Sequence, residues 1–341
     1  MSTRQAGVTI YQVAQRAGVS TATVSRALRD DPRISDATKL SVREAAQQLD
    51  YLPKAAARAL AGSRTNALGL VLPHIDGPYY ADLLVGFETA ASAQNLSVII
   101  TLANPRQDCR TAVRTLAAQV DGLAFMARSA ANSQLIADIA RTRPVVTAAR
   151  PQVPGSDAFF VENASTADRL TQHLIDGGRR RLAFVGNPER GSDLGMRHDG
   201  FVAAVSRADL EPTTYPIFPS EQDGRAFAER LLADGFTHDA LVCGNDELAL
   251  AVMQTLQRGG VAVPADVAIT GWDDTVTARY VEPGLTSISQ PVRQLGGLVV
   301  SRLAQRIAGD GPREEAVTLP ATLAHRTSCG CSTFHSIKEL P

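Results

Sequence analysis

Residues 8 to 29, VTIYQVAQRAGVSTATVSRALR, decide the fold of the first part of the chain. Thr9 followed three residues later by Gln12 has the capping-box pattern that opens a helix. Val13, Ala14 and Ala17 recur at helical spacing, and Gly18 ends the run. Ser20 is placed to cap a second short helix in which Val24, Ala27 and Leu28 face inward. Its outward face carries Thr21, Ala22, Ser25, Arg26 and Arg29, with Ala22, Arg26 and Arg29 at i, i+4, i+7 spacing. Two short helices joined by a Gly turn, the second small, hydroxylated and basic on its outer face, predict a helix-turn-helix. The plainer reading of the same residues is a helical hairpin with a solvated basic face.

The next residues favour the first reading. Ser35 and Asp36 open a third helix, the Asp being favourable at the positive end of the helix dipole. Leu40, Val42, Ala45, Ala46 and Leu49 include an apolar stripe that closes a three-helix core, and Tyr51-Leu52-Pro53 stops the helix. PKAAARALAG, residues 53 to 62, is rich in helix formers, with Pro53 suited to a first helical position and Gly62 to an end. It is shorter than the roughly 12–15 residues an isolated helix needs in water, so it is expected to order on a surface, here DNA.

AQRAGVSTATVSRAL followed by YLPKAAARALAG resembles the headpiece and hinge of the LacI/GalR family of bacterial transcriptional repressors. That family reads V-A-x-x-A-G-V-S-x-x-T-V-S-R, then Y-x-P-N, then an A-R-x-L hinge. The resemblance implies that Thr21, Ala22 and Arg26 read base edges in the major groove. It also implies that Leu60 is a minor-groove wedge, kinking the duplex as inserted apolar side chains do. The DNA-contacting set it implies is Thr9, Tyr11, Ser20, Thr21, Ala22, Thr23, Ser25, Arg26 and Arg29 in the head, with Lys54, Ala57 and Leu60 in the hinge. Lys54 departs from the family's Asn after the Pro; a Lys there reaches toward phosphate.

Charge supports a head that contacts nucleic acid. The net charge of −1 over 341 residues hides an asymmetry. Residues 1 to 63 carry nine Lys or Arg against five Asp or Glu, a net +4, which leaves −5 on the rest. A basic head on an acidic body permits phosphate contact without making the whole chain adhere to nucleic acid. The start of the sequence has no cleavable apolar stretch, and no apolar run reaches the roughly 18 residues of a membrane span, so a cytoplasmic location is expected. Four cysteines make no disulfide framework in a chain this long. Cys109 and Cys243 read as inert, and Cys329-Gly-Cys331 reads as a reactive pair near a flexible end. No metal site and no cofactor are expected, because no cluster of ligands has the required spacing.

Beyond a polar linker at residues 63 to 67, strands and helices alternate. Strands are expected at 68–72, 96–102, 122–126, 144–147, 182–186, 240–243 and 267–271. Helices are expected at 82–94, 108–119, 132–141, 164–176, 198–207, 224–234, 246–258 and 296–308. This alternation predicts doubly wound parallel sheets with right-handed crossovers, arranged as two successive α/β units. The whole fold class is thus an all-α helix-turn-helix headpiece plus an α/β periplasmic-binding-protein-like body with two doubly wound parallel-sheet subdomains. The expected limits are 1–52 for the head, 53–63 for the hinge and 64–341 for the effector-binding and dimerisation domain. The resemblance, in which the chain crosses between subdomains three times, divides that domain into about 64–162 with 290–322, and about 163–289 with 323–341. DALVCGNDELALAVMQTLQRGGVAVPADVAITGWDD, PGLTSISQP, LGGLVVSRL and LPATLAHRTS carry the resemblance through the second half.

Loops at the carboxyl ends of two such sheets surround a cleft, the usual ligand site. Asn245 and Asp246 follow one strand and open a helix; Trp272, Asp273 and Asp274 follow another. Arg197 is expected in a loop or first helical turn. An Arg fork and carboxylates converging on a cleft suit adjacent hydroxyls, where each oxygen both donates and accepts. The resemblance matches Arg197, Asn245 and Asp273 to effector positions, His74, Asp76 and Tyr79 to the first-strand loop, and Glu162 to a further contact. Arg128 and Trp272 complete the candidate set. Against these stand plainer roles: Asn245 and Asp246 as helix caps, Trp272 as core. HIDGPYY and Glu162 depart from the family's usual residues, and SEQDG at 220–224 lacks the aromatic that some members stack on a sugar or purine.

The reading that follows is a homodimeric, operator-binding regulator, repressor activity being implied by the resemblance, with double-stranded DNA and a small sugar-like effector as partners. Alternatives are a purine or nucleoside effector, or DNA binding independent of any effector. An enzyme is not expected: the chain has no nucleophile elbow, P-loop or Gly-rich dinucleotide turn.

Overall fold

The computed structural model describes residues 8–28, 30–51, 64–75, 77–104, 108–189, 192–235, 237–310 and 314–330. The chain divides into a head, up to Thr65, and a body from Asn66 onward.

The head is built from α1 (Ile10–Ala17), α2 (Thr21–Ala27) and α3 (Asp36–Gln48). Side chains open each helix. Gln12 Oε1 accepts from the Thr9 backbone N–H at 2.8 Å, and the Ser20 and Ser35 hydroxyls accept from the N–H groups of Thr23 and Thr38. Gly18 ends α1 in the left-handed region, with φ of 66°, where a residue with a Cβ is disfavoured. Val13, Ala14, Val24, Ala27, Val42, Ala45 and Ala46 form the buried core. Arg16 donates two hydrogen bonds to Gln48 Oε1, tying α1 to α3. Leu40, grouped with the core in the sequence, is instead 58% exposed. It lies two residues, or about 200°, around the helix from Val42 and so on the far side.

The body contains β1 (Ala67–Leu72), α4 (Pro78–Ser92), β2 (Ser97–Leu102), α5 (Cys109–Ala117), β3 (Gly122–Met126), α6 (Ser133–Ala140), β4 (Val145–Ala148) and β5 (Asp157–Val161). It continues with α7 (Ala164–Asp176), β6 (Leu182–Val185), α8 (Asp193–Arg207), β7 (Thr213–Tyr215), α9 (Glu221–Asp234), β8 (Ala240–Cys243), α10 (Asp246–Arg258) and β9 (Ala268–Thr270). The last elements are α11 (Val276–Tyr280), β10 (Ser287–Ser289), α12 (Val292–Ala308), β11 (Ala316–Leu319) and β12 (Thr322–Ala324).

Two parallel sheets result, in the orders β11-β5-β4-β3-β1-β2 and β7-β6-β8-β9, with an antiparallel β10-β12 pair beside them. Strands β1, β3 and β4 of the first sheet and β6 and β8 of the second are buried along their full length, as helices on both faces require. The chain leaves the first sheet after β5, returns with α12 and β11, and leaves again to β12. Close helix crossings rest on glycine. A Cβ on Gly86 of α4 would overlap the Arg293 carbonyl of α12, and one on Gly200 of α8 the Ala164 carbonyl of α7.

Several helices begin earlier than the sequence pattern suggests. The helix expected from 82 starts at Pro78, where Pro at the first position follows Gly77. Those expected from 198, 224 and 296 start at Asp193, Glu221 and Val292. Ser192 and Ser220 cap two of them through their hydroxyls, and these caps outrank the first apolar residue as start signals. β5, β7, β10, β11 and β12 and helix α11 are additions to the sequence pattern. They are short, and β7, β11 and β12 are only partly buried, so their sequences lack a strong apolar run.

Cys329, read as part of a reactive tail, is buried in a 3-10 turn, its Sγ 3.5 Å from His173 Nε2. Cys243 is also buried, and burial drives its thiol pKa far above the ordinary value. Cys331 lies outside the described residues.

Candidate functional site

On the head, α2 presents Thr21, Ala22, Ser25 and Arg26 along one side, with Ala22 and Arg26 exposed. Ser20 and Thr23 share a 2.9 Å hydroxyl contact at the helix start. Thr9 caps α1, and Tyr11 stands 73% exposed on it. The arginines and lysine of the head fall into two groups. Arg33 pairs with Asp31 at 2.7 Å, and Lys39 and Arg43 pair with Asp30 at 3.2 and 3.0 Å. These bonds hold both carboxyls below their ordinary pKa. The Arg26 side chain makes no hydrogen bond or ion pair among the described residues, so its fork is free for a partner. Arg29, Lys54, Ala57 and Leu60 lie outside the described residues.

In the body, the carboxyl ends of the two parallel sheets bring a polar group together around Arg197. This side chain is 7% exposed and lies in the second turn of α8, not in a loop or first turn, because the helix begins at Asp193. Its Nε donates to Asn163 Oδ1 at 2.8 Å and its Nη1 to the Gly244 carbonyl at 2.7 Å. Nη2 stands 4.0 Å from Asp193, and the guanidinium lies 4.4 Å over the Trp272 ring. Trp272 is therefore both core, at 2% exposure, and a platform for Arg197; its buried indole nitrogen has no partner among the described residues.

Asp273 follows at φ 113°, with its backbone N–H on the Ile288 carbonyl and its carboxylate accepting from Gln290 Nε2 at 2.6 Å. Burial pushes its pKa up to about 7, opposed by Arg197 and reinforced by Asp246 and Asp193. Asp193 is raised too, by burial. Near neutrality Asp273 is thus divided between forms that donate and that accept, which suits it to hydroxyl groups. Tyr79, half-buried at the start of α4, has its phenol pKa raised by burial and by Asp193 and Asp273. A cavity of about 210 Å³ runs beside Tyr79, Asp273 and Gln290.

The remaining candidates divide. His74 packs edge-on against Tyr80, at 4.8 Å between rings. Arg128 sits at φ 62°, and its guanidinium lies 4.6 Å over Phe218, which belongs to the segment after β7. Arg150 steadies the Arg128 turn by donating to Ser129 Oγ and the Ala131 carbonyl. Asn245 caps α10 through Oδ1, and its amide reaches the Pro219 carbonyl at 3.4 Å. Glu162 accepts from the Ser165 N–H and so caps α7. Asp246 is fully buried, accepting from Thr275 N–H and the Ser287 hydroxyl; burial raises it to about 6. Asp76 lies outside the described residues.

Sequence reasoning missed Asn163, Asp193, Gln290 and Phe218. The S-D pair at 192–193 is a readable helix start, and Gln290 stood inside the quoted TSISQP. SEQDG is the start of α9 and not a loop, and the aromatic sought there is Phe218, two residues upstream.

A helix-turn-helix head and a two-sheet body with a polar cleft define the class: helix-turn-helix proteins that carry a periplasmic-binding-protein-like domain. Residues 9–54 match the family model "Bacterial regulatory proteins, lacI family", and residues 171–329 match "Periplasmic binding protein-like domain". Catabolite control protein A of Priestia megaterium is 31% identical, over 94% of this chain and 99% of that protein. The ribose operon repressor of Escherichia coli (strain K12) is 30% identical over 94% and 99%. Among solved structures, the lac repressor dimer bound to operator and the anti-inducer ONPF superposes with TM-score 0.82 at 25% identity, covering 95% of this chain and 99% of that one. A complex of the transcriptional regulator CelR with cellobiose gives TM-score 0.70 at 27% identity, covering 94% and 99%. The chain belongs to the LacI family and is a DNA-binding transcriptional regulator. No helix among the described residues is long and apolar enough to cross a membrane.

Proposed function

We propose that this chain is a repressor that binds a pseudo-palindromic operator as a homodimer, and that a sugar-type effector in the body's cleft sets its DNA affinity. The observation that carries the effector half is the set of contacts joining the two sides of the cleft: Arg128 on Phe218 and Gln290 on Asp273. A ligand touching both sides favours one relative arrangement of the sheets, and differential affinity is what moves a two-state equilibrium. The DNA half is carried by Arg26 on an exposed helix face, with Thr21 and Ala22 beside it. Arg pairs with guanine edges, and small side chains allow close approach to the groove. Leu60 is assigned as the minor-groove wedge.

The homodimer is supported by apolar side chains left at the surface. Val85 on α4 and Ile100 on edge strand β2 are 48% and 44% exposed, and Val276 and Tyr280 on α11 are 56% and 84% exposed. An uncovered edge strand of this kind is a liability that pairing removes. The operator-bound dimer, the cellobiose complex and a ribose-bound family structure from Enterococcus faecium are the precedents. The test is fluorescence anisotropy on DNA from the chain's own promoter region, titrated with sugars and then purines. A sugar-dependent shift in Kd supports the reading. A shift with purines alone replaces the effector class, and binding by a monomer removes the dimer.

A further inference from the structure

The cationic groups around the cleft are not equivalent. Arg197 is committed to Asn163, Gly244, Asp193 and the Trp272 face. Arg150 is committed to Ser129 and Ala131, Arg279 and Arg326 to Asp274, and Arg293 to Asp82. Arg128 differs. It is exposed and makes no hydrogen bond or ion pair among the described residues. Phe218, reaching over from the other sheet's side of the cleft, covers one face of its guanidinium. A ring on the face orients the plane and leaves the N–H edges free, and those edges bind carboxylate or phosphate in bidentate fashion.

Arg128 is also close enough for its charge to act on the buried Tyr80 phenol, which Asp273 and Asp193 oppose from their side. The cleft thus holds two kinds of group: Asp193 and Asp273, which suit hydroxyls, and Arg128, which suits negative charge.

We infer that the effector is an anionic sugar, a sugar acid or sugar phosphate, whose charged group lies on the free edge of Arg128 and whose hydroxyls lie on Asp273. The inference rests on the cleft being the effector site. An anion there also exploits a conformation already secured: Arg150 pins the turn, so ordering Arg128 costs little on binding.

Calorimetric titration of the full chain tests it, using neutral hexoses and pentoses, the matching uronic acids and the matching terminal phosphates. Operator binding is measured in parallel. An acid or a phosphate is expected to bind more tightly than its neutral parent, the two arms separating carboxylate from phosphate. Arg128→Gln is expected to weaken the anionic ligand by roughly 10- to 100-fold, the range of a charge-assisted hydrogen bond. The same variant weakens the neutral parent less than the anion, and Arg128→Lys recovers part of the loss. Equal affinity for parent and anion, or an equal loss on both in Arg128→Gln, overturns the inference and leaves a neutral-sugar effector standing. Binding of no sugar in the panel, with operator binding intact, removes both the inference and the sugar reading.

Discussion

Two arginines show how differently the head and the body use the same side chain. Arg26 stands in water on α2 with no polar partner among the described residues. Arg197 is nearly fully buried, with its fork and its face both occupied. The first is fully available to a partner, and little in the head depends on it. The second is part of the framework that brings both sides of the cleft together, so ligand binding and stability are coupled there. The carboxylates divide the same way. Asp30 and Asp31 in the head are held low chiefly by hydrogen bonds to Lys39 and Arg33, whereas Asp246 and Asp273 in the body are held high chiefly by burial.

The largest expected effect is at Arg197. Arg197→Ala leaves Asn163 Oδ1 and the Gly244 carbonyl without their donor and Asp193 without its cation. Breaking a buried charged network costs about 3–5 kcal/mol. Denaturant unfolding followed by Trp272, the chain's single tryptophan, measures it; a loss under about 1 kcal/mol would show that Arg197 is not structural. Arg26→Ala should do the reverse. Stability should stay within about 0.5 kcal/mol, while operator binding weakens by roughly 1–3 kcal/mol and random DNA much less. Equal losses on both DNAs would remove base readout by Arg26.

The carboxylates give opposite pH signs. Asp273 and Asp246 have folded pKa values above the ordinary 3.8, so their protonated forms stabilise the body. That contribution is complete below about pH 4 and is lost as pH rises through about 6 to 7. Asp273→Asn should therefore flatten the rise in melting temperature seen by Trp272 as pH falls from 8 to 5; an unchanged slope contradicts the assignment. In the head, Asp30 and Asp31 contribute in the other sense, losing their pairing as acid protonates them. The smallest effect is at a cap: Ser20→Ala should cost the head about 1 kcal/mol, read as faster hydrogen exchange in α2 with the body unchanged.

Much of this molecule was readable because its signals are local. The capping box at Thr9 and Gln12, the Gly18 turn and the alternation of strands such as Leu68–Leu72 with helices depend on neighbours a few residues apart. The site was readable only in part. Arg197, Trp272 and Asp273 were singled out, yet Asn163 and Gln290 were not, since each acquires its role from a residue distant in the chain. Asn245 and Glu162, candidates for the ligand, are also helix caps in the structure, a local role that their positions before α10 and α7 already allowed.

The sequence by itself determined the helix-turn-helix, the exposed Arg26 and the parallel α/β class, because periodicity, caps and charge act through contacts a few residues apart. Only the tertiary structure decided which cations are spent and which are free. Arg197 is satisfied by Asn163 and Gly244, and Arg128 meets Phe218 ninety residues onward in the chain. The free energy of a buried or shared charge depends on what surrounds it in space, and sequence distance does not record that.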